Sequence, residues 1–372
     1  MKTSILAVVA AVASVGLLAT PATSQESLTS QDEDVLARTA LLHYLEATDS
    51  QWVDESASMR TSGLLDGAQT EAMRVNSRVR SDLEDIGLPI IGATSDSELL
   101  SVVHQADGTL LAQVSISTIF EYGGNHSAYP ESTWTDVHEI VIDESGASPI
   151  VLSDHVVPAP LDQTPGTPAG VAPTESSAER PSLTTSTPDV GLMSQPTLDI
   201  YSAQGYAYTW TSPPNAGDEP NDLNADFPRY DNNCANFVSQ VLRAGGWEYK
   251  GGVNPYDTDN WSPNLTGPSE ASRTWSSAKY QYTFVRDNGD YTWLPNIWDA
   301  LPGAVLYTDW DPNLTADGEI DHVMFVTYEA MGEPSGPLIA QKSPNRSNIP
   351  LAQSIANANA QGRTVVWYGL SG

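Results

Sequence analysis

The chain has 372 residues, and its 47 acidic and 16 basic residues give a formal net charge of −31 at pH 7. This length suggests two compact units. The negative field repels polyanions, so we exclude an overall phosphate-binding surface and expect no nucleic-acid partner. Charged residues make up only 17% of the chain and hydrophobic residues 40%, which favours a folded globular protein over a disordered acidic tail.

The N-terminal segment predicts export. Lys2 precedes an uncharged apolar stretch from Ile5 to Leu18, and Thr20-Pro21-Ala22 supplies small residues for cleavage. This pattern is typical of a secretory signal peptide, here over residues 1–24. No later segment reaches the roughly 18 apolar residues that a spanning helix needs. We therefore expect a secreted or extracellular mature protein without a membrane anchor, and association with the cell wall is left open.

Residues 31–157 predict a small α+β domain of unknown role. Apolar residues recur near helical spacing from Gln31 to about Gly87, and strand patterns follow between Glu98 and Val157. A turn signal at Ala106-Asp107-Gly108 separates the first two expected strands. Helices followed by an antiparallel meander indicate this class. The expected strands are Leu99–Gln105, Thr109–Tyr122, Trp134–Asp143 and Ile150–Val156.

Residues 158–196 predict a linker between two domains. The stretch is rich in Pro, Thr and Ser and contains no aromatic residue. Such a composition cannot bury enough apolar surface to fold, so we expect an extended connection. Eight of the ten Trp follow it, which indicates an aromatic core in a C-terminal domain at residues 197–372.

The only cysteine, Cys234, is the first candidate for chemistry. A single thiol excludes an intramolecular disulfide and a metal site built on several thiolates. Asp231 to Asn233 are helix-capping residues, apolar residues follow at helical spacing, and Gly245-Gly246 ends the pattern. Cys234 is therefore expected at a helix N-terminus, where N–H groups and the helix dipole favour a thiolate and can receive an oxyanion. A buried structural cysteine is the alternative.

A nucleophilic thiol needs a base, and His322 is the only histidine after the expected linker. It begins a segment whose β-branched and aromatic residues predict a strand to Tyr328, and Leu301 to Tyr307 predicts the preceding strand. A surface or structurally satisfied histidine is the alternative interpretation. A Cys at a helix N-terminus, followed by strands that carry a His, is the order found in papain-like cysteine hydrolases.

Two segments resemble a known family, the secreted bacterial "putative amidase domain" family. The segment that carries the resemblance best is Asn233-Cys234-Ala235-Asn236-Phe237-Val238-Ser239-Gln240, and the strand from His322 to Thr327 is similar to a second signature. The resemblance covers Tyr201 to about Tyr368. It implies a papain-like fold related to NlpC and CHAP peptidases and hydrolysis of amide or peptide bonds. Cys234 would be the nucleophile, and His322 the general base and acid.

Two positions depart from the family pattern. The family usually has Asp before the Cys, where this chain has Asn233. A third strand in the family often reads Gln-His-Thr-x-Asp, and here the segment is Gln341-Lys342-Ser343-Pro344-Asn345. The ammonium of Lys342 could only donate hydrogen bonds, whereas the amide oxygen of Asn345 can accept one from an imidazole N–H. We therefore assign Asn345 as the third catalytic group.

Together these observations predict a secreted, cysteine-dependent amide-bond hydrolase that acts on a peptide or a peptidoglycan-type substrate. The expected fold is α+β, with a papain-like domain after the linker. We expect no cofactor and no metal: the loop from Asp309 has Leu314 and Ile320 where an EF-hand requires Gly and Glu. The alternative is a non-catalytic cell-wall or surface binding protein with a degraded papain-like site, as Lys342 could suggest.

Overall fold

The computed structural model describes residues 30–54, 71–123, 131–146, 148–157, 195–265, 271–310, 318–329 and 334–372. The predicted signal peptide and nearly all of the predicted linker lie outside these residues. No helix among the described residues combines the length and apolar content required to cross a membrane.

Two helices and four strands come first along the chain, and helices and strands are interspersed after them. The helices are α1 (Ser30–Val53), α2 (Glu71–Asp85), α3 (Ile200–Thr211), α4 (Cys234–Ala244), α5 (Arg273–Ser276), α6 (Ala278–Asn288) and α7 (Leu351–Ala360). The strands are β1 (Ile90–His104), β2 (Thr109–Tyr122), β3 (Ser132–Asp143), β4 (Ile150–Val156), β5 (Thr292–Trp293), β6 (Val305–Trp310), β7 (His322–Tyr328), β8 (Leu338–Gln341), β9 (Arg346–Pro350) and β10 (Val365–Ser371).

These strands form one antiparallel sheet. Its order is β1-β2-β3-β9-β8-β7-β6-β10-β5, and β4 pairs with β3. The molecule is thus a mixed α/β structure with a large antiparallel sheet and several helices. The predicted combination of helices with antiparallel strands is confirmed, whereas the papain-like architecture stays a prediction.

The N-terminal strands follow the predicted meander, but β1 and β3 begin earlier than expected, β3 by two residues. The turn at Ala106-Asp107-Gly108 is present, and Gly108 has a φ of 87°, a conformation that glycine adopts readily. Strand β1 begins at Ile90, nine residues before the expected start at Leu99. Its polar first half is held by pairing with β2 and by Asp49 of α1, which accepts hydrogen bonds from the backbone and hydroxyl of Ser95.

The C-terminal part of the sheet has a different core on each face. On the first, here called the α4 face, Tyr307, Val323 and Phe325 pack with α4. On the second, the α7 face, Met324 and Val326 pack with residues of α2 and α7. Successive side chains of a strand point to opposite faces, so each residue of β7 can be assigned to one core or the other.

The N-terminal strands continue the C-terminal sheet through the pairing of β3 with β9. Thr133 pairs with Ser347 and Trp134 with Arg346. Residues before and after the expected linker therefore contribute to the same sheet. The proposed domain boundaries at residues 157 and 197 stay a prediction.

Candidate active site around Cys234 and His322

Helix α4 begins at Cys234, and the helix predicted from the sequence is confirmed. Cys234 is 1% exposed, and Gly245 ends the helix by donating its N–H to the carbonyl of Val241. The N–H of Cys234 donates to the side-chain oxygen of Asn232 over 3.0 Å. An oxyanion could use this N–H only by displacing the amide of Asn232.

Asn233 adopts a role that differs from that of a simple helix cap. Its side-chain oxygen accepts hydrogen bonds from the N–H of Tyr230 and the amide of Asn236 and makes no capping bond to the helix N-terminus. Its own N–H donates to the hydroxyl of Ser343 over 3.0 Å. The start of α4 is thus tied to the segment that follows β8.

The thiol of Cys234 lies in the core of the α4 face. It shares this core with Tyr307 and Val323, both fully buried. Burial raises the pKa of Tyr307 well above its ordinary value, and the nearby Tyr291, Tyr282 and Cys234 add to this effect. The Tyr307 hydroxyl has no hydrogen-bond partner among the described residues. No local signal in the sequence distinguishes Tyr307 as a functional residue, because an aromatic residue in a strand more often indicates core packing.

His322 is the first residue of β7, and it is 1% exposed. Its ring stacks on Trp310 with centroids 5.1 Å apart and planes at 22°. Burial lowers the pKa of His322 to about 4, although a side-chain hydrogen bond with Gln341 opposes this shift. Within the described part of the chain, its Nε2 atom has no hydrogen-bond partner. The imidazole is therefore neutral near pH 7.

Alternation along β7 directs the side chain of His322 away from the α4 face, where Cys234 packs. Val323 shares the α4 face with Cys234, so its neighbour His322 points to the α7 face together with Met324. Trp310, on which the His322 ring stacks, points to the α7 face as well. It lies three residues after Tyr307 in β6, and successive side chains alternate between the faces. Cys234 begins a helix that packs on the sheet, and His322 begins one of its strands. Their catalytic roles stay predictions.

The segment 341–346 contains the third assigned residue, Asn345. Its side-chain amide donates to the carbonyl of Thr211 over 2.9 Å, and its side-chain oxygen has no hydrogen-bond partner among the described residues. In the structure, Gln341 and not Asn345 makes the hydrogen bond to His322. The amide nitrogen of Gln341 also donates to the carbonyl of Pro344. The role of Asn345 stays a prediction. Gln341 was visible in the sequence, as the one residue of this segment that matches the family pattern.

Lys342, which stands where the family has His, is buried in this segment. Its ammonium group donates hydrogen bonds to the carbonyls of Asn215 and Gly217. Burial lowers its pKa to about 8, and the carboxylates of Asp218 and Asp222 oppose that shift. Lys342 thus cross-links two loops and does not contact the imidazole through any of these bonds.

A cavity of about 240 Å³ lies between α1, α2, α7 and strands β2 to β4. On its wall, Asp154 accepts a hydrogen bond from the Tyr44 hydroxyl over 2.6 Å and lies 2.7 Å from Nδ1 of His138. Burial opposes protonation of His138, but the charge and hydrogen bond of Asp154 outweigh it and raise the pKa. Cys234 and His322 are not among the residues that line this cavity.

The described residues contain no group of three or more His, Cys, Asp or Glu side chains that could hold a metal ion. Residues 311–317, which include most of the acidic loop considered in the sequence, lie outside the described part of the chain. No residue set for a cofactor emerges from the geometry of the site.

Comparison with family models assigns the C-terminal part of the chain. Residues 197–367 match the family described as "Putative amidase domain". The matched range includes the positions of Cys234, His322 and Asn345, and the family description suggests amide hydrolysis in general. Comparison with the curated proteins and with the solved structures gives no match to this chain.

Proposed function

We propose that residues 197–367 hydrolyse amide bonds with the thiolate of Cys234 as the nucleophile. The observation that supports this most strongly is the position of the single cysteine as the first residue of α4, inside a segment that matches an amidase family. The positive end of the helix dipole favours the thiolate over the thiol at this position. A cysteine in mid-helix would gain nothing from it.

The proposed reaction is acyl transfer in two steps. The sulfur of Cys234 forms a bond to the amide carbonyl carbon, and the carbon–nitrogen bond breaks as the leaving amine takes a proton. Water then attacks the thioester, the carbon–sulfur bond breaks, and the carboxylic acid and the thiolate are released. Backbone N–H groups at the start of α4 stabilise the oxyanion once Asn232 releases the N–H of Cys234.

We further propose His322 as the group that moves the proton, as the sequence pattern suggests. This role requires its imidazole to leave the α7 face and approach Cys234, because β7 directs it away from α4. A pKa of about 4 makes the buried imidazole a weak base at pH 7, so the role also requires a more polar environment that raises this pKa. The orientation of β7 therefore makes His322 the part of the mechanism that most needs its own test.

The proposed substrate is a peptide or the peptide part of a peptidoglycan-type polymer, met outside the cell. The proposal of secretion is supported by the apolar segment near the N-terminus.

The test compares the wild type with Cys234→Ala and Cys234→Ser on purified cell-wall sacculi and on a soluble peptide amide. Newly formed amino groups and soluble fragments are measured over time. We expect release by the wild type and none above background by either variant, while circular dichroism shows that both variants fold. Equal release by the wild type and Cys234→Ala would remove the proposal.

A non-catalytic binding protein is the second candidate, and the placement of His322 favours it. A thiol whose assigned base faces another core gains no activation from that base. Iodoacetamide labelling near pH 6 separates the two functions, since a catalytic thiol reacts faster than cysteine in solution and a structural one more slowly. Slow labelling together with cosedimentation of Cys234→Ala with sacculi would establish the binding function.

A further inference from the structure

The segment 341–346 contacts both groups on which the proposed function rests. Ser343 accepts a hydrogen bond from the N–H of Asn233, the residue directly before Cys234. Gln341, at the end of the neighbouring strand β8, hydrogen-bonds to His322. A displacement of this segment would therefore change the hydrogen bonds at the start of α4 and at the start of β7.

The same segment is held by strand β3, which precedes it by more than 200 residues. The N–H of Thr135 donates to the carbonyl of Asn345 over 3.0 Å, and the guanidinium of Arg346 donates back to the carbonyl of Thr135. Arg346 also forms an ion pair with Asp136 at 2.7 Å. The hydroxyl of Thr135 reaches further and donates to the carbonyl of Ala216.

Burial makes these contacts stronger than ordinary surface contacts. The side chains of Arg346 and Asp136 are only 6% and 14% exposed, and the guanidinium lies 3.5 Å from the centre of the Trp134 ring. A buried ion pair that loses one partner leaves an uncompensated charge, which is far more costly than the loss of a surface pair. Asp136 therefore contributes to holding the segment, together with the backbone bonds to Thr135 and the bond from the N–H of Ser343 to Asp218.

We propose that Thr135 and Asp136 are positioning residues for the Cys234 site, acting through Arg346 and the segment 341–346. The strand β3 then forms part of the catalytic apparatus, although it lies far outside the matched residues 197–367. An effect of these residues on catalysis rests on the proposed function. Their effect on the accessibility of the Cys234 thiol does not, and it can be measured by itself. It follows that residues 197–372 expressed alone would lack the contacts by which β3 holds the segment 341–346.

The test measures the rate of Cys234 alkylation by iodoacetamide in the full chain, for the wild type, Asp136→Asn and Asp136→Glu. Asp136→Asn removes the charge that holds Arg346, so the segment opens more often and the buried thiol becomes accessible. We expect alkylation about tenfold faster, because the loss of a hydrogen bond to a charged group shifts a local opening equilibrium by that order. Asp136→Glu restores the charge and should return the rate toward that of the wild type.

Glu84→Gln is the matched control. It removes the carboxylate partner of the largely buried Arg80 in α2, an ion pair away from the segment 341–346, and should leave the alkylation rate unchanged. A folded Asp136→Asn that alkylates at the wild-type rate overturns the proposal. So does an equal acceleration by Glu84→Gln, because the effect would then be a general loss of stability.

If Asp136→Asn does not fold, Thr135→Val carries the same test. It removes the hydroxyl bonds to Ala216 and Ser117 and leaves the ion pair in place. We expect the same direction of change with a smaller size, and an unchanged rate overturns the proposal. Alkylation needs only the thiol, so a failure of hydrolysis in the wild type would not be mistaken for a failure of this inference. Where hydrolysis is present, a positioning role lowers kcat more than it raises KM.

Discussion

His322 and Trp310 stack with their ring centroids 5.1 Å apart, on the face of the sheet opposite to Cys234. The stack and the hydrogen bond to Gln341 fix the imidazole in a dry environment that disfavours its charged form. If the imidazole of His322 moves toward Cys234, it loses both contacts, and this loss costs free energy. The pair is therefore the place where the structure and the sequence-based mechanism can be compared by experiment.

The first prediction concerns the pH dependence that His322 adds to stability. Its pKa is about 4 in the folded chain and near 6.5 when unfolded, so the unfolded state binds more protons between these values. The unfolding free energy should therefore fall with falling pH in this window, by about 3 kcal/mol from this group. Chemical denaturation at several pH values should show that His322→Gln loses this part of the decline. His43→Gln, at an exposed position of α1, serves as the control.

The second prediction has the opposite sign and concerns His138. The Asp154 carboxylate raises the pKa of His138 against the effect of burial, so the charged pair stabilises the fold below the unfolded value. This stabilisation is lost as the pH rises through the folded pKa. His138→Gln should therefore cost more unfolding free energy at pH 5.5 than at pH 8.5. In nuclear magnetic resonance titrations, Asp154→Asn should lower the pKa of His138, and an unchanged value would contradict the assignment.

Local sequence signals predicted the elements that hold the candidate residues. The capping residues before Cys234 and Gly245-Gly246 after the helix delimit α4, and the β-branched content of the segment from His322 predicted β7. These signals act between neighbours in the chain, so they can be recognised without knowledge of the fold. The early start of β1 was missed because residues 94–97 are polar and are held in the strand by Asp49 and β2.

The face to which His322 points could not be predicted from local signals. Side chains alternate along a strand, so a change of one residue in register moves the whole set to the other face. Which face α4 covers depends on packing that no segment of the sequence encodes by itself. The pairing of Trp134 with Arg346 is equally long-range, since the two residues lie on either side of the expected linker.

The third prediction concerns Lys342 as a structural cross-link. Lys342→Met removes the buried donor to the partly buried carbonyls of Asn215 and Gly217. We expect a loss of about 2 kcal/mol in unfolding free energy, the usual order for buried groups left without partners. Lys279→Met removes the half-exposed pair with Glu319 and should cost less than about 1 kcal/mol. Equal losses in the two variants would show that Lys342 does not act as a cross-link.

The fourth prediction separates Gln341 from Asn345 as the group that orients His322. Gln341→Glu places a carboxylate at the existing hydrogen bond, and an adjacent negative charge raises the pKa of an imidazole by about 1 to 3 units. Asn345→Asp is the matched variant, and its side chain bonds toward Thr211. We expect a clear rise in the pKa of His322 in Gln341→Glu and a smaller one in Asn345→Asp, both read from the imidazole signals in a titration.

If His322 is the base, the acidic limb of the pH–rate profile should move with its pKa. A larger shift in Asn345→Asp would return the orienting role to Asn345, where the sequence pattern assigned it.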